Sequence, residues 1–181
     1  MTTFTFFAAI SSDGFLAGPN GDMAWAEKYL SADEDYGFSE LMFQSSGVVM
    51  GSRTFDFELE AMGDQGRMLP TFVLTSSRMK YDGINDPNVH FLSGDIKSVA
   101  GEISAKVGGK VFVMGGADVV NQMLTAKLLD RIILFQAPDE LGEGLELFDE
   151  PLELVLSDYA LTEEKKYDSG LLRREYEVIR K

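Results

Sequence analysis

An α/β fold with a mostly parallel central sheet and an antiparallel C-terminal hairpin is what this 181-residue sequence predicts. Three observations carry it. Short apolar runs closed by glycine or hydroxyl residues alternate with segments of helical periodicity, the pattern of strands buried beneath helices. The end of the chain changes to two alternating segments joined by Tyr167-Asp168-Ser169-Gly170, which reads as a hairpin. No repeat, linker or low-complexity stretch interrupts the pattern, so residues 1–181 read as a single domain.

Phe4–Ile10 (FTFFAAI) reads as the first buried strand, broken by Ser11-Ser12-Asp13-Gly14. Phe15–Trp25 follows as a glycine-rich loop, long enough for a ligand-covering role, although Trp25 could equally pin a plain surface loop. Ser31-Ala32-Asp33-Glu34 has capping-box spacing and predicts a helix running to about Gln44. Gly47–Gly51 (GVVMG) is a second strand, and Ser52-Arg53-Thr54 starts another helical turn. Asp56–Met68 is poorly periodic. Phe72–Thr75 is a third strand, ending in Thr75-Ser76-Ser77-Arg78, and Val89–Leu92 is a fourth. Asp95 reads as the cap of a helix to about Lys106. Val111–Met114, Gly115-Gly116 and a helix opening at Ala117-Asp118 come next, with Val119, Val120, Met123 and Leu124 on one face. Arg131–Ala137 is a continuous apolar strand and Pro138–Leu147 a turn-rich loop. Leu152–Leu161 and Leu171–Arg180 form the predicted hairpin.

Composition excludes several functions. Sixteen basic against thirty acidic residues give a net charge of −14, which repels nucleic-acid backbones and anionic membranes. With no cysteine and only His90 among histidines, thiolate and multi-histidine metal sites are ruled out and no metal is expected. No apolar run is long enough to span a membrane. The N-terminus lacks a basic leader before its apolar run. A cytoplasmic protein is the expectation.

Three strand ends share one chemistry: Gly51-Ser52-Arg53-Thr54, Thr75-Ser76-Ser77-Arg78 and Gly115-Gly116-Ala117. Ligands of open α/β sheets bind at the carboxyl ends of strands, and helix N-termini favour anions. At Gly115-Gly116 alone, a tight turn and an anion cradle are both consistent with the residues. Taken with the other two ends, a dinucleotide is the expected guest. Neither the G-x-G-x-x-G fingerprint nor a Walker A pattern is present. Arginine with serine, rather than an acid, at a strand end favours NADP over NAD.

Ala9-Ile10-Ser11-Ser12-Asp13-Gly14, the loop ending in Trp25, Val48-Val49-Met50-Gly51-Ser52-Arg53-Thr54-Phe55, Val73–Ser77, Val113–Val119 and Pro138-Asp139-Glu140-Leu141-Gly142-Glu143-Gly144-Leu145-Glu146-Leu147-Phe148 occur in an order that resembles the dihydrofolate reductase-like superfamily. The resemblance spans nearly the whole chain. It is closest to the branch holding the reductase domain of bifunctional riboflavin-biosynthesis proteins and its stand-alone relatives. It implies a three-layer fold of that superfamily and an NADPH-dependent oxidoreductase. The implied reaction is most like that of 5-amino-6-(5-phosphoribosylamino)uracil reductase. Dihydrofolate reductase activity is the second expectation, and a catalytically silent nucleotide-binding protein the third.

On this resemblance Gly51, Ser52, Arg53 and Thr54 fall where the family holds the pyrophosphate and 2′-phosphate. Thr75, Ser76 and Arg78 fall at the adenosine end. Gly115, Gly116, Ala117, Asp118 and Val119 wrap the nicotinamide and pyrophosphate, the glycine pair carrying the family's cis peptide. Ile10, Gly18 and Asp22 to Trp25 cover the nicotinamide. Asp13, Trp25 and Asp35 face the substrate, Asp35 as the acid of the pocket helix. Two plainer readings stand beside these: Asp33, Glu34 and Asp35 suit a first helical turn through the dipole alone, and Asp13 suits a loop cap. A homodimer is expected, since relatives of that branch pair and a long terminal strand offers an open edge.

Overall fold

The computed structural model describes residues 1–30, 34–63 and 66–180. Strand β1 (Thr3–Ile10) opens the chain and β2 (Phe15–Ala17) follows one tight turn later. The stretch expected to be a loop over Phe15–Trp25 is thus partly regular, with a 3-10 turn at Pro19–Gly21 and a short helix α1 (Ala24–Glu27) that carries Trp25. Helix α2 (Phe38–Gln44) starts later than the capping-box spacing predicts. Tyr36 and Gly37 take φ of 57° and 87°, a conformation that a right-handed helix does not pass through. Ser31–Asp33 of the predicted box lie outside the described residues.

Strand β3 (Ser45–Gly51) runs directly into helix α3 (Ser52–Met62). The stretch after Asp56 is therefore helical as far as Met62. Phe55, Leu59 and Met62 recur at i, i+4 and i+7, and Phe55 is fully buried, but Phe57 faces solvent off that stripe and obscures it in the sequence. Strands β4 (Thr71–Leu74) and β5 (Val89–Leu92) follow, then helix α4 (Ile96–Lys106). The Asp95 carboxylate accepts from the backbone N–H groups of Lys97 and Ser98, the predicted cap. Next come β6 (Lys110–Gly115), α5 (Ala117–Thr125), β7 (Arg131–Gln136) and β8 (Leu145–Glu146). Leu152–Leu161 is not one strand. It begins as helix α6 (Leu152–Val155) and a 3-10 turn at Leu156–Asp158, and only then enters β9 (Tyr159–Lys166), paired with β10 (Leu172–Val178). Pro151 sits at the N-cap with φ −51° and starts the helical turn. A short apolar run does not by itself distinguish the two periods.

The chain divides into two compact units. The first, Met1–Thr5 with Gln44–Leu129, holds four parallel strands in the order β5-β4-β3-β6. Thr3 N–H donates to the Gly109 carbonyl and anchors the start of β1 here. Val48, Val49, Met50, Phe72, Val73, Val111, Phe112 and Val113 are all buried, the near-continuous apolar runs of a sheet covered on both faces. Val99 and Ile103 of α4 and Val119, Val120 and Met123 of α5 are buried as well. Each such side chain contributes roughly 1.5–3 kcal/mol of hydrophobic stabilisation.

The second unit, Phe6–Phe43 with Asp130–Lys181, holds the rest of β1 with β7, β10 and β9. β10 pairs antiparallel with both β7 and β9, the expected C-terminal hairpin turning through Tyr167–Gly170. Tyr29, Ile133, Phe135, Ala137 and Leu171 form its core, with Phe7, Trp25, Tyr36 and Tyr167 packed around them. β2 and β8 make a separate two-stranded ribbon. Sequence and structure agree on a mostly parallel central sheet with an antiparallel C-terminal pair and helices packed around it.

Candidate active site

In the first unit two strand-to-helix junctions lie side by side. β3 and β6 are parallel neighbours with Met50 opposite Gly115. α3 starts immediately after Gly51 and α5 immediately after Gly116, and neither cap residue supplies a side-chain hydrogen bond. The first-turn N–H groups of both helices are therefore left to an anion or to water. The Gly115–Gly116 peptide is cis. A Cβ built on Gly51 would stand 3.2 Å from Val119 Cγ2 and within 4 Å of Gly116 N and Gly115 O. A Cβ on Gly116 would stand 3.4 Å from Thr54 Oγ1. Gly51, Thr54, Gly115, Gly116 and Val119 thus meet at one point. The first turn of α3 has no acidic residue, whereas that of α5 carries Asp118, whose carboxylate accepts from Gln122 Nε2 at 3.1 Å. The positive end of α3 is the less compensated of the two.

Ser52 is half-buried and Arg53 exposed in the first turn of α3. Past β4, Thr75 Oγ1 accepts from Ser77 N–H, and Ser76 is exposed. Arg78 lies 4.5 Å over the Phe91 ring and 3.6 Å from Asp82. Two bare helix ends, hydroxyls and two arginines suit a phosphorylated dinucleotide, and the glycines leave room for its close approach.

The remaining predicted residues belong to the second unit. Ile10 is fully buried at the end of β1. Gly18 N–H donates to the Asp22 carbonyl at 2.8 Å, closing the turn before α1. Trp25 stacks edge-on against Tyr29 at 6.4 Å, and its Nε1 is buried with no hydrogen-bond partner. A buried indole N–H normally finds an acceptor. Asp35 is exposed and caps α2, its carboxylate accepting from Gly37 and Ser39 N–H at 2.9 Å. The Ser39 side-chain hydrogen bond, then the backbone bonds from Gly37 and Ser39, hold its pKa below the usual value. At neutral pH Asp35 is an acceptor, not a proton donor.

Asp13 joins two loops far apart in sequence. Its carboxylate accepts from Ser11 Oγ at 2.6 Å, Gly142 N–H at 2.7 Å and Leu141 N–H at 3.1 Å. Burial pushes its pKa up, but the bonds from Ser11, Gly142 and Leu141 outweigh it and the net shift is down. Asp139 was not legible in the sequence. Its carboxylate accepts from Lys28 Nζ and Tyr29 Oη, which lower its pKa, while burial and Asp139 push Tyr29 up to about 12. No local signal marks Asp139, because its partners lie 110 and 111 positions away. Ile10 and Asp13 also line a cavity of about 430 Å³ whose wall carries Glu146, Asp149, Glu150 and Glu153.

Asp13, which latches the two loops together, and Asp139 both have folded-state pKa values below the unfolded ones. They contribute stability above the ordinary carboxylate range and lose it as pH falls through the folded values. Both are largely solvent-screened, so each contributes less than about 1 kcal/mol. Urea midpoints should hold steady between about pH 5 and 8 and fall in more acid solution. Asp13→Asn should flatten that fall, and an unchanged slope would remove Asp13 from it.

Known proteins share this architecture. A "Putative riboflavin biosynthesis protein" from Shewanella sp. PV-4 superposes with a TM-score of 0.81 at 24% identity, covering 98% of this chain and 99% of that one. The diaminohydroxyphosphoribosylaminopyrimidine deaminase/5-amino-6-(5-phosphoribosylamino)uracil reductase of Thermotoga maritima superposes at 0.71 and 16% identity, over 98% of this chain and 56% of that one. Dihydrofolate reductase from Enterococcus faecalis, solved with NADP(H), superposes at 0.64 and 17% identity, over 97% and 96%. Residues 2–172 match the model of the RibD C-terminal domain, and the chain belongs to that family.

Proposed function

We propose that this protein is an NADPH-dependent oxidoreductase acting on a small flat heterocycle, in the manner of the pyrimidine reductases of its family. The observation that carries the reading is the paired glycine junction, where Gly51, Thr54, Gly116 and Val119 converge between two uncapped helix starts. When bound, NADPH supplies the hydride that reduces a C=N or C=O carbon of the substrate. The first-turn amides of α3 and α5 hold the phosphates, with Ser52, Ala117 and Asp118 in those turns. Arg53 takes the 2′-phosphate, and Thr75, Ser76 and Arg78 serve the adenosine side. Ile10 and Gly18 exclude water from the reacting carbon. Trp25, half-buried and edge-on against Tyr29, supplies an aromatic wall to the substrate. Asp35, kept ionised by its cap bonds, accepts from N–H groups on the substrate edge and orients it; the proton that completes reduction comes from water. The two units work as one reductase domain.

Dihydrofolate is the second substrate reading, favoured by a carboxylate at the head of α2. A homodimer formed through β9 belongs to the proposal, because that strand is exposed along nearly its whole length. So does a cytoplasmic location, which a cysteine-free chain suits.

NADPH titration followed by nucleotide fluorescence tests the reading, with NADH alongside. Arg53→Ala should weaken NADPH by about 10- to 100-fold, the worth of one charge-assisted contact, and leave NADH within about twofold. Equal losses for both nucleotides would move the 2′-phosphate contact elsewhere, and no NADPH binding by the unaltered protein would end the proposal.

A further inference from the structure

The two units differ sharply in charge. The first has eight basic and nine acidic residues, a net −1; the second has eight basic and twenty-one acidic, a net −13. Nearly all of the chain's −14 therefore sits in the unit that carries Asp13, Trp25 and Asp35.

The cations of that second unit are also committed. Lys28 pairs with Asp139. Arg131 and Arg173 share the buried Glu175, and Arg173 also meets Glu163 at 3.1 Å, so this group of four sums to zero charge. Arg174 pairs with Glu164 at 2.8 Å, and Arg180 with Asp130 at 2.5 Å. Lys165 lies 4.2 Å over the Tyr167 ring. Among the described basic residues of the unit this leaves Lys166, on the exposed end of strand β9. Recruiting any of the paired arginines would strand a carboxylate, and for Glu175 a buried one. The cavity beside Ile10 and Asp13 is walled by acids. The unit is also rich in aromatic rings, Phe7, Trp25, Tyr36 and Tyr167 being only partly buried where they pack against its core.

A phosphomonoester brings close to two negative charges. Phosphate sites are built from arginine forks, lysine or helix N-termini, and the paired helix starts of this protein are in the first unit, where the proposed cofactor uses them.

We infer that the substrate is a neutral or cationic flat heterocycle carrying no phosphate, so that this protein has left the phosphoribosyl substrate class of the uracil reductases it resembles. The inference rests on the reductase reading above.

A matched pair tests it: the ribosylaminopyrimidine 5′-phosphate and its dephosphorylated nucleoside, each titrated into the NADPH-bound full chain, with binding followed by calorimetry and NADPH oxidation by absorbance. The nucleoside should bind at least about tenfold more tightly, and raising salt should narrow the gap as repulsion of the phosphate is screened. Equal or tighter binding of the phosphate form overturns the inference, and so does binding of neither form by protein that holds NADPH. Failure to bind NADPH in the preceding titration overturns the reductase reading instead. The two failures are thus read from different measurements.

Discussion

Gly51→Ala should cost this protein its dinucleotide while leaving it folded. The backbone at Gly51 has φ −81° and ψ 162°, which any residue adopts, so the change does not act through glycine's freedom. It acts through space. The new methyl would stand 3.2 Å from Val119 Cγ2 and 3.8 Å from Gly116 N, in the gap between the two helix starts. Crowding Val119 should cost about 1 kcal/mol of stability. Keeping the nucleotide phosphates away from the α3 amides should weaken NADPH by roughly 100-fold, about 2.7 kcal/mol. Fluorescence titration measures the affinity and thermal melting the stability. Adding Val119→Ala relieves the crowding but gives up that side chain's buried area, so it should leave the melting temperature at or below that of Gly51→Ala and restore no affinity. If affinity returns in the double variant, the glycine serves only packing.

Gly144→Ala should be the most destabilising single methyl in the second unit. Gly144 has φ +152°, and its added Cβ would collide with the carbonyl oxygen of Ala17 and come within 3.0 Å of Gly18 Cα. Neither obstacle is a flexible side chain. The β2–β8 ribbon pairs Ala17 with Leu145 at this place, so it must open to admit the methyl. A loss of about 3 kcal/mol or more is expected, seen as a fall in melting temperature of roughly 6–12 °C for a chain of this size. Gly142→Ala is the control. Its φ of +74° is left-handed, but nothing lies within 4 Å of the added Cβ, so it should cost only about 1 kcal/mol. Equal losses in the two variants would show that backbone conformation, not the collision with Ala17, sets the cost.

The order of strands and helices was legible because each parallel strand is a short apolar run with its own glycine or hydroxyl stop. Val111–Met114 before Gly115-Gly116, and Gly47–Gly51 before Ser52, needed no tertiary information. Three places misled for different physical reasons. Leu152–Leu161 alternates like a strand over its first half yet starts as a helix behind Pro151. The helix expected from Ser31 begins only at Phe38, since Tyr36 is held left-handed by packing on Phe135 and Tyr167 and by its hydroxyl bond to the Tyr29 carbonyl. Helix α3 hid behind an exposed Phe57.

The site divides in the same way. The cofactor junctions are local motifs, so Gly51, Thr54 and Gly116 could be picked out before any contact was known. The roles of Asp13 and Asp35 depend on partners. Asp35 gives each carboxylate oxygen to a backbone N–H of the helix it heads and keeps its outer lone pairs, and Asp13 binds a loop 128 and 129 positions further along the chain. No spacing rule reaches that far.

The latch at Asp13 has a consequence for motion. Segment 11–17 and segment 139–147 share the Asp13 bonds, the Ser12 N–H to Asp139 carbonyl bond at 2.7 Å and the β2–β8 pairing. Neither can swing out without breaking the other's contacts, so they should open as one cooperative element. The amide hydrogens of Ser12, Leu141 and Gly142 would then exchange with solvent at a common rate. A substitution in either segment should change the protection of both, which makes the pair a single unit of inheritance for any change in what the protein admits.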